Sequence, residues 1–305
     1  KGNFDDAQTG VKSIFTNQEI LDRFEKNNLV FSSANSINWG RLAPQIVYYV
    51  SAYCDMVNNG SVAFGDKINV VVPTGNFGNI LAAYFAKEMG LPINKLICAS
   101  NANNVLTDFI NTGVYDKRRD FYKTVSPSMD ILVSSNLERL LYSITGEDAE
   151  KVAAMMDKLN NEGSYKVEAD SLKIIQSEFF GAWVDEVETK GVIAKVYSDY
   201  NYLMDTHTAV AVEVYEKYKT ETGDETKTII ASTASPYKFP RAVLKAISGE
   251  NEPDDFEAAK KIEDISGLKM PKQLSELSEK EPRFTSVCER EDMAGFVLST
   301  VGGDC

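Results

Sequence analysis

Histidine is almost missing from this chain: His207 stands alone among 305 residues. Cysteine is sparse too, at Cys54, Cys98, Cys288 and Cys305, with no C-x-x-C pair. These ligands make no zinc pattern, so no metal is expected, and reduced thiols in a cytosolic protein are the simplest reading. Positive charge is in deficit. The 32 Lys and Arg face 45 Asp and Glu, a net charge of −13. That balance argues against nucleic acid and against an anionic membrane surface as partners, because both need a cationic face. A small anion stays open as a ligand, since backbone amides bind one locally. Long apolar runs are absent, so no segment is read as crossing a bilayer. No basic stretch followed by an apolar one opens the chain, so no export signal is read and a cytoplasmic location is expected.

What is present is the balance of an ordinary globular protein, 43% apolar and 25% charged. The length suits one large domain or two moderate ones. The start, KGNFDDAQTGVKSIF, has no initiator Met and begins in mid-pattern. Asp5 or Asp6 is expected to cap a helix running through Phe15, and the stretch reads as cut from something longer.

Residues 3–28 read as two short helices, followed by a short strand and a polar loop in LVFSSANSINWGR. Residues 40–57 read as one long, mostly apolar helix. The run from Ile68 to Val72 predicts a buried strand, Ile80 to Met89 a helix, and KLICAS (95–100) a second strand. Strand, Gly-rich loop, helix and strand make a βαβ unit, so the fold class is α/β with a mostly parallel sheet flanked by helices. Residues 126–200 read as mostly helical and acidic, with a weak strand near Tyr165–Val167. The α/β pattern resumes with a helix in HTAVAVEVYEKYKTET, a strand in KTIIAS (227–232) and a helix in FPRAVLKAIS (239–248). The tail, 249–305, is polar with two or three short helices.

The joint PTGNFGN spends Gly75, Asn76, Gly78 and Asn79 on one strand-to-helix turn. Glycine lets backbone approach a ligand closely and lets successive N–H groups point one way. The helix N-terminus beyond adds partial positive charge, which together make a cradle for a phosphate. The spacing is G-x-x-G, not G-x-G-x-x-G, and no Lys-Ser/Thr follows, so a compact phosphate is favoured over a dinucleotide or nucleoside triphosphate. A tight turn whose glycines serve only packing is the alternative. At a second joint, IIASTASPYKFPRAV, the residues Ser232, Thr233 and Ser235 crowd the carboxyl end of a strand, where open α/β sheets bind ligands. A hydroxyl there hydrogen-bonds a neutral heterocyclic nitrogen; helix capping is the alternative. Asn35, Ser36 and Asn38 in SSANSINWGR are either ligand-binding or a capped loop. His207, beside Asp205, is either a base or a helix-start residue capped by Asp205 or Thr206.

In order along the chain, FDDAQTGVKSIF, NSINWGRLAPQIVYY, PTGNFGNILAAYFAKEMGLP, ASNANNVLTDF, MDTHTAV and STASPYKFPRAV together resemble threonine synthase of the long bacterial and fungal class, which carries a helical insertion corresponding to 126–200. The resemblance covers essentially the whole chain. It implies a fold-type-II, tryptophan-synthase-β-like, pyridoxal-phosphate enzyme, a lyase that converts O-phospho-L-homoserine and water to L-threonine and phosphate. It implies that Gly75, Asn76, Phe77, Gly78 and Asn79 hold the cofactor phosphate and that Thr233 hydrogen-bonds the pyridine nitrogen. Asn35, Ser36 and Asn38 match a loop near the substrate, and Lys238 is a further substrate-side candidate. Thr206 stands where the family has proline, and Ser235 where it has histidine. The family's Schiff-base lysine, in a Phe-Lys-Asp segment, and its Ser-Gly-Asp-Thr-Gly loop have no counterpart in residues 1–305. No catalytic lysine is therefore assigned, and activity is expected only with a missing N-terminal part of the same protein, since the chemistry needs that anchor.

The domain reading has 1–40 as the remnant of a smaller domain. The large cofactor-binding domain comprises 41–125 and 201–305, and 126–200 is a mostly helical insertion. Two other functions stay open: a related pyridoxal-phosphate lyase, such as a threonine dehydratase or cysteine synthase, and a non-catalytic anion-binding module.

Overall fold

A computed structural model describes residues 4–32 and 35–301. They fall into two compact units, one of residues 35–278 and one that joins the segment before residue 35 to the segment from 279 onward. In chain order the first helices are α1 (Phe4–Phe15), α2 (Gln18–Lys26), α3 (Trp39–Leu42) and α4 (Ile46–Asn58). Strand β1 (Ile68–Pro73), α5 (Gly78–Glu88), β2 (Ile93–Ser100), α6 (Val105–Thr112) and β3 (Val114–Asp116) follow. Next come α7 (Leu137–Ile144), α8 (Ala149–Glu162), β4 (Ser164–Lys166), α9 (Ala169–Glu178), β5 (Phe179–Trp183) and α10 (Glu186–Tyr200). The chain continues through α11 (Thr206–Thr222), β6 (Thr228–Ile230), α12 (Pro240–Ser248), α13 (Asp255–Ser266), α14 (Lys272–Ser275) and α15 (Met293–Val301).

The larger unit is built on a four-stranded sheet of order β5-β2-β1-β6, parallel throughout. Every residue of β1 is buried, which is why INVVVP is a continuous apolar run and not an alternating one. Alternation still governs its packing. Val70 and Val72, with Leu96 and Cys98 of β2, join the core shared with α4 to α9. Val71, Ile97 and Ala99 join the opposite core with Val210, Val214 and Tyr218 of α11. A third core gathers α10, α12 and α13 around Ile193, Val243, Leu244 and Ile262. In the smaller unit, α1, α2 and α15 share a core of Ile14, Ile20 and Phe24 with Met293 and Val297 against it. Asn17 caps α2, accepting from the N–H of Ile20 at 3.2 Å.

Several local expectations change. Residues 179–183, inside the segment read as mostly helical, form an edge strand of the sheet, with Leu96 opposite Phe179 and Ser100 opposite Trp183. The physical reason is the paired aromatics followed by Gly181. A Cβ at Gly181 would lie 3.2 Å from Cα of Thr107, so glycine lets α6 rest on this strand without being pushed away. Segment 126–200 is thus mostly helical but supplies one strand of the main sheet, while its weak strand, β4, pairs antiparallel with β3. Tyr115 and Tyr165 stack across that pair at 5.4 Å. The helix of 40–57 is interrupted by a 3-10 turn at Ala43–Gln45, because Pro44 lacks an N–H. No strand occurs among the described residues of LVFSSANSINWGR. Helix α1 begins at Phe4, so Asp5 and Asp6 lie inside its first turn and not ahead of it. Among the described residues, no helix is long and apolar enough to cross a membrane.

Candidate functional site

The joint between β1 and α5 sits at the carboxyl end of the central strand pair. Thr74 fixes its start: its N–H donates to Ala99 O at 2.8 Å and its hydroxyl to Val72 O at 2.7 Å. Phe77 then takes a left-handed conformation, φ 62°, and its ring is buried against Phe179. An aromatic residue in that region is strained, and the burial of its ring compensates. Helix α5 has no side-chain cap. Among the described residues, the backbone N–H groups of Gly75, Asn76, Phe77, Gly78 and Asn79 find no acceptor in the chain. Uncapped amides at a helix start attract an anion.

The two glycines answer a different demand. A Cβ at Gly75 would come within 2.7 Å of Ser128 O, and one at Gly78 would fall onto Ser36 Oγ. Their missing side chains are replaced by protein, so the packing role of the glycines is real, and the anion-binding potential resides in the amides. Two segments press on the loop in this way. One carries Ser36, whose hydroxyl accepts from Nδ2 of Asn136 at 3.0 Å. Asn136 is fully buried and also donates to Asn76 O, from its N–H at 3.1 Å and its Nδ2 at 2.9 Å. It precedes α7 as a capping residue would, but its Oδ1 accepts from Arg139 Nη1 and its Nδ2 is spent on the loop and Ser36.

The other segment, 124–130, is held from two sides. Asp130 accepts from Asn101 Nδ2 at 2.8 Å, Asn103 Nδ2 at 3.0 Å and the Thr124 hydroxyl at 2.7 Å. Ser128 N–H donates to His207 Nε2 at 3.2 Å, and His207 Nδ1 lies 3.0 Å from Asp205 Oδ1. Because Nε2 accepts, the imidazole proton sits on Nδ1 and goes to Asp205. Asp205 also caps α11, accepting from the N–H groups of His207 and Thr208. Burial pushes the Asp205 carboxyl up, but the donors of His207 and Thr208 outweigh it and hold the group below its usual value. The Thr208 hydroxyl contacts Asp205 and lies 3.3 Å from Ser232 Oγ, just beyond β6. Asp205 thus ties the end of β6 to the segment packed on Gly75.

A cleft of about 380 Å³ opens here, lined by Tyr48, Tyr49 and Asn79 on one side and by Ser232 and Thr233 on the other. Its size falls within the roughly 300–1,000 Å³ of small-molecule sites. Tyr49 donates its hydroxyl to Asn79 Oδ1, which leaves the carboxamide NH₂ as the group Asn79 offers a ligand. Burial pushes the Tyr49 phenol well up, so it stays a neutral donor. Thr233 is exposed at the cleft.

The structure thus brings Asn79 and Thr233 to one cleft and sets Ser36 against Gly78. Asn35 Oδ1 accepts from Ile37 N–H at 3.1 Å, and Asn38 Oδ1 from Gly40 N–H at 3.0 Å, ahead of α3. Lys238 does not line this cleft; it lines a separate groove of about 560 Å³. His207 is the helix-start residue capped by Asp205. Asn136, Tyr49 and Ser128 escaped the sequence reading. No motif marks them, since each acts through a contact distant in sequence.

The sheet, parallel throughout and flanked by helices, has the fold of fold-type-II pyridoxal-phosphate enzymes. The family model for the C-terminal part of threonine synthase matches residues 208–297. Threonine synthase of Pseudomonas aeruginosa is 37% identical over 286 residues, covering 93% of this chain and 55% of the relative. The human protein called threonine synthase-like 1 is 44% identical over 249 residues, 81% of this chain and 33% of the relative. The crystal structure of pyridoxal-phosphate-bound threonine synthase from Brucella melitensis superposes with a TM-score of 0.79 at 36% identity, covering 99% of this chain and 59% of that one. This chain belongs to the threonine synthase family. It spans between a third and three-fifths of the length of these relatives.

Proposed function

We propose that the cleft between Asn79 and Thr233 holds pyridoxal 5'-phosphate, and that the whole protein is a threonine synthase. It would convert O-phospho-L-homoserine and water to L-threonine and phosphate, in the cytoplasm. The observation that carries this reading is the run of acceptor-free amides at residues 75–79, whose last member, Asn79, lines the same cleft as an exposed hydroxyl just past the adjacent strand. The residues fit the group. The amides and the helix start take the phosphate dianion. The Thr233 hydroxyl donates to the ring nitrogen without the full charge of a carboxylate partner. Tyr49 fixes the rotamer of Asn79. Ser36 and Asn136 hold the start of α5 in place, and the Asp205–His207–Ser128 relay holds the segment against Gly75. When bound, pyridoxal phosphate supplies an electron sink for charge developing on the substrate carbon.

Pyridoxine 5'-phosphate lacks an aldehyde and cannot form an imine with surface lysines, so it reports the non-covalent site alone. Phosphate and ring contacts worth about 4 kcal/mol correspond to a Kd near 1 mM. Saturable one-to-one binding in that range by this chain, weakened by Thr233→Ala, supports the reading. No saturable binding refutes it. For the reaction, the whole protein should turn over O-phospho-L-homoserine and leave L-threonine and O-acetyl-L-serine unconsumed; the reverse pattern would indicate the dehydratase or cysteine-synthase reading.

A further inference from the structure

The 560 Å³ groove shares no lining residue with the cleft. The segment 124–127 and Lys190 of α10 form one wall; Lys238 just ahead of α12, with Arg241 and Lys245 in its first and last turns, forms the other. Glu252 and Asp255 close the end. We propose that this groove binds a small phosphomonoester dianion or orthophosphate.

Its charges are the argument. Asp255 is committed to Arg241 Nε at 2.7 Å, and Glu252 to Lys261 at 3.0 Å. Lys190 pairs with Glu186 at 3.2 Å, and Glu186 in turn accepts the Val125 N–H at 2.9 Å. Each carboxylate of the groove therefore has a cationic partner, although Glu252 shares Lys261 with Glu250, 3.2 Å away. Lys238 and Lys245 have no carboxylate partner among the described residues; Lys238 lies over the Phe239 ring at 5.5 Å. Two unneutralised ammonium groups thus face one concavity of a chain whose net charge is −13. Helix α12 starts just after Lys238 without a side-chain cap, which adds to the positive potential there. A phosphomonoester carries close to two negative charges at neutral pH and can engage both ammonium groups. The volume suits a small molecule and not a nucleic acid strand. Phe239 also packs on His207 at 4.8 Å, so one wall of the groove adjoins the relay that positions the segment on Gly75. The groove is independent of the proposed reaction, although a phosphate-ester substrate and the phosphate it releases are two natural sources of the ligand.

The test uses the 305-residue chain, amide NMR, and two probes, orthophosphate and O-phospho-L-serine. Saturable shifts of the Ala242 and Lys245 amides are expected, with affinity at least tenfold weaker in Lys238→Ser/Lys245→Ser. Circular dichroism verifies that the variant folds, and single Lys245→Gln gives a smaller loss in the same direction. Tighter binding of O-phospho-L-serine supports the site with a metabolite as its ligand; equal or tighter binding of orthophosphate supports it with free phosphate. Unchanged affinity in the double variant, or shifts confined to residues 75–79, overturns the proposal. Shifts at 75–79 report the cofactor cradle separately and persist in the double variant, so failure of either reading is visible without the other.

Discussion

Replacing Gly75 by alanine would place a methyl group 2.7 Å from Ser128 O and 3.2 Å from Met129 Cα. Both distances lie inside the roughly 3.5 Å of an ordinary contact. Neither neighbour is the free end of a flexible side chain. Ser128 N–H is tied to His207 at 3.2 Å, Met129 N–H to Ser126 O at 3.0 Å, and Gly75 O itself accepts from Ser134 Oγ at 2.9 Å. Forcing such an overlap costs about 1–3 kcal/mol. The smaller entropy of the unfolded alanine chain returns about 0.4–1 kcal/mol. The net expectation for Gly75→Ala is a loss of about 1–2 kcal/mol, read as a lower urea midpoint with an unchanged slope. Gly191→Ala is the control. Gly191 lies inside α10, and a Cβ there meets nothing within 4 Å. This exchange should stabilise by about 0.5–1 kcal/mol. A Gly75→Ala chain as stable as the unmodified one, beside a stabilised Gly191→Ala, would refute the claim that the 124–130 segment is clamped on the loop.

Three further outcomes are expected. Thr233→Ala should weaken pyridoxine 5'-phosphate binding roughly twofold to tenfold, as loss of one hydrogen bond dictates, while Thr233→Ser retains it; equilibrium dialysis decides. Asp205→Asn keeps a competent helix cap but loses the charge that accepts from His207 and Thr208, and should cost about 1–3 kcal/mol at pH 7 in urea unfolding. Because the folded Asp205 pKa lies below its unfolded value, the stability it supplies is present above about pH 4 and lost as pH falls through the folded value. The unmodified chain should therefore lose stability more steeply in acid than Asp205→Asn does, and parallel acid profiles would contradict this. Burial pushes the Cys98 thiol up to about 12, against the hydroxyls of Thr74 and Ser100, so it should react with a disulfide reagent only after unfolding, whereas exposed Cys54 reacts in the folded chain.

Much of this architecture was legible from local pattern. The β-branched run of β1, the helical periodicity of α5 and the turn residues between them predict a βαβ unit, and the structure contains it. The edge strand β5 was not legible, because Phe179 and Phe180 continue an apolar helical face and only the neighbour β2 decides between helix and strand. The site divides in the same way. Loop 75–79 and Thr233 are marked by residue type at strand ends. Asn136 and Ser128 lie some 50–60 positions further along from the loop that they hold, and nothing local announces them. The glycines were legible as special, but their reason was not: their missing side chains make room for Ser128 and Ser36.

The most direct test of the central claim is a crystal of this chain soaked in pyridoxine 5'-phosphate. The account expects the phosphate within hydrogen-bond distance of the amides of residues 75–79 and the ring nitrogen against the Thr233 hydroxyl. A phosphate bound only elsewhere, with these amides unchanged at saturating ligand, would contradict it.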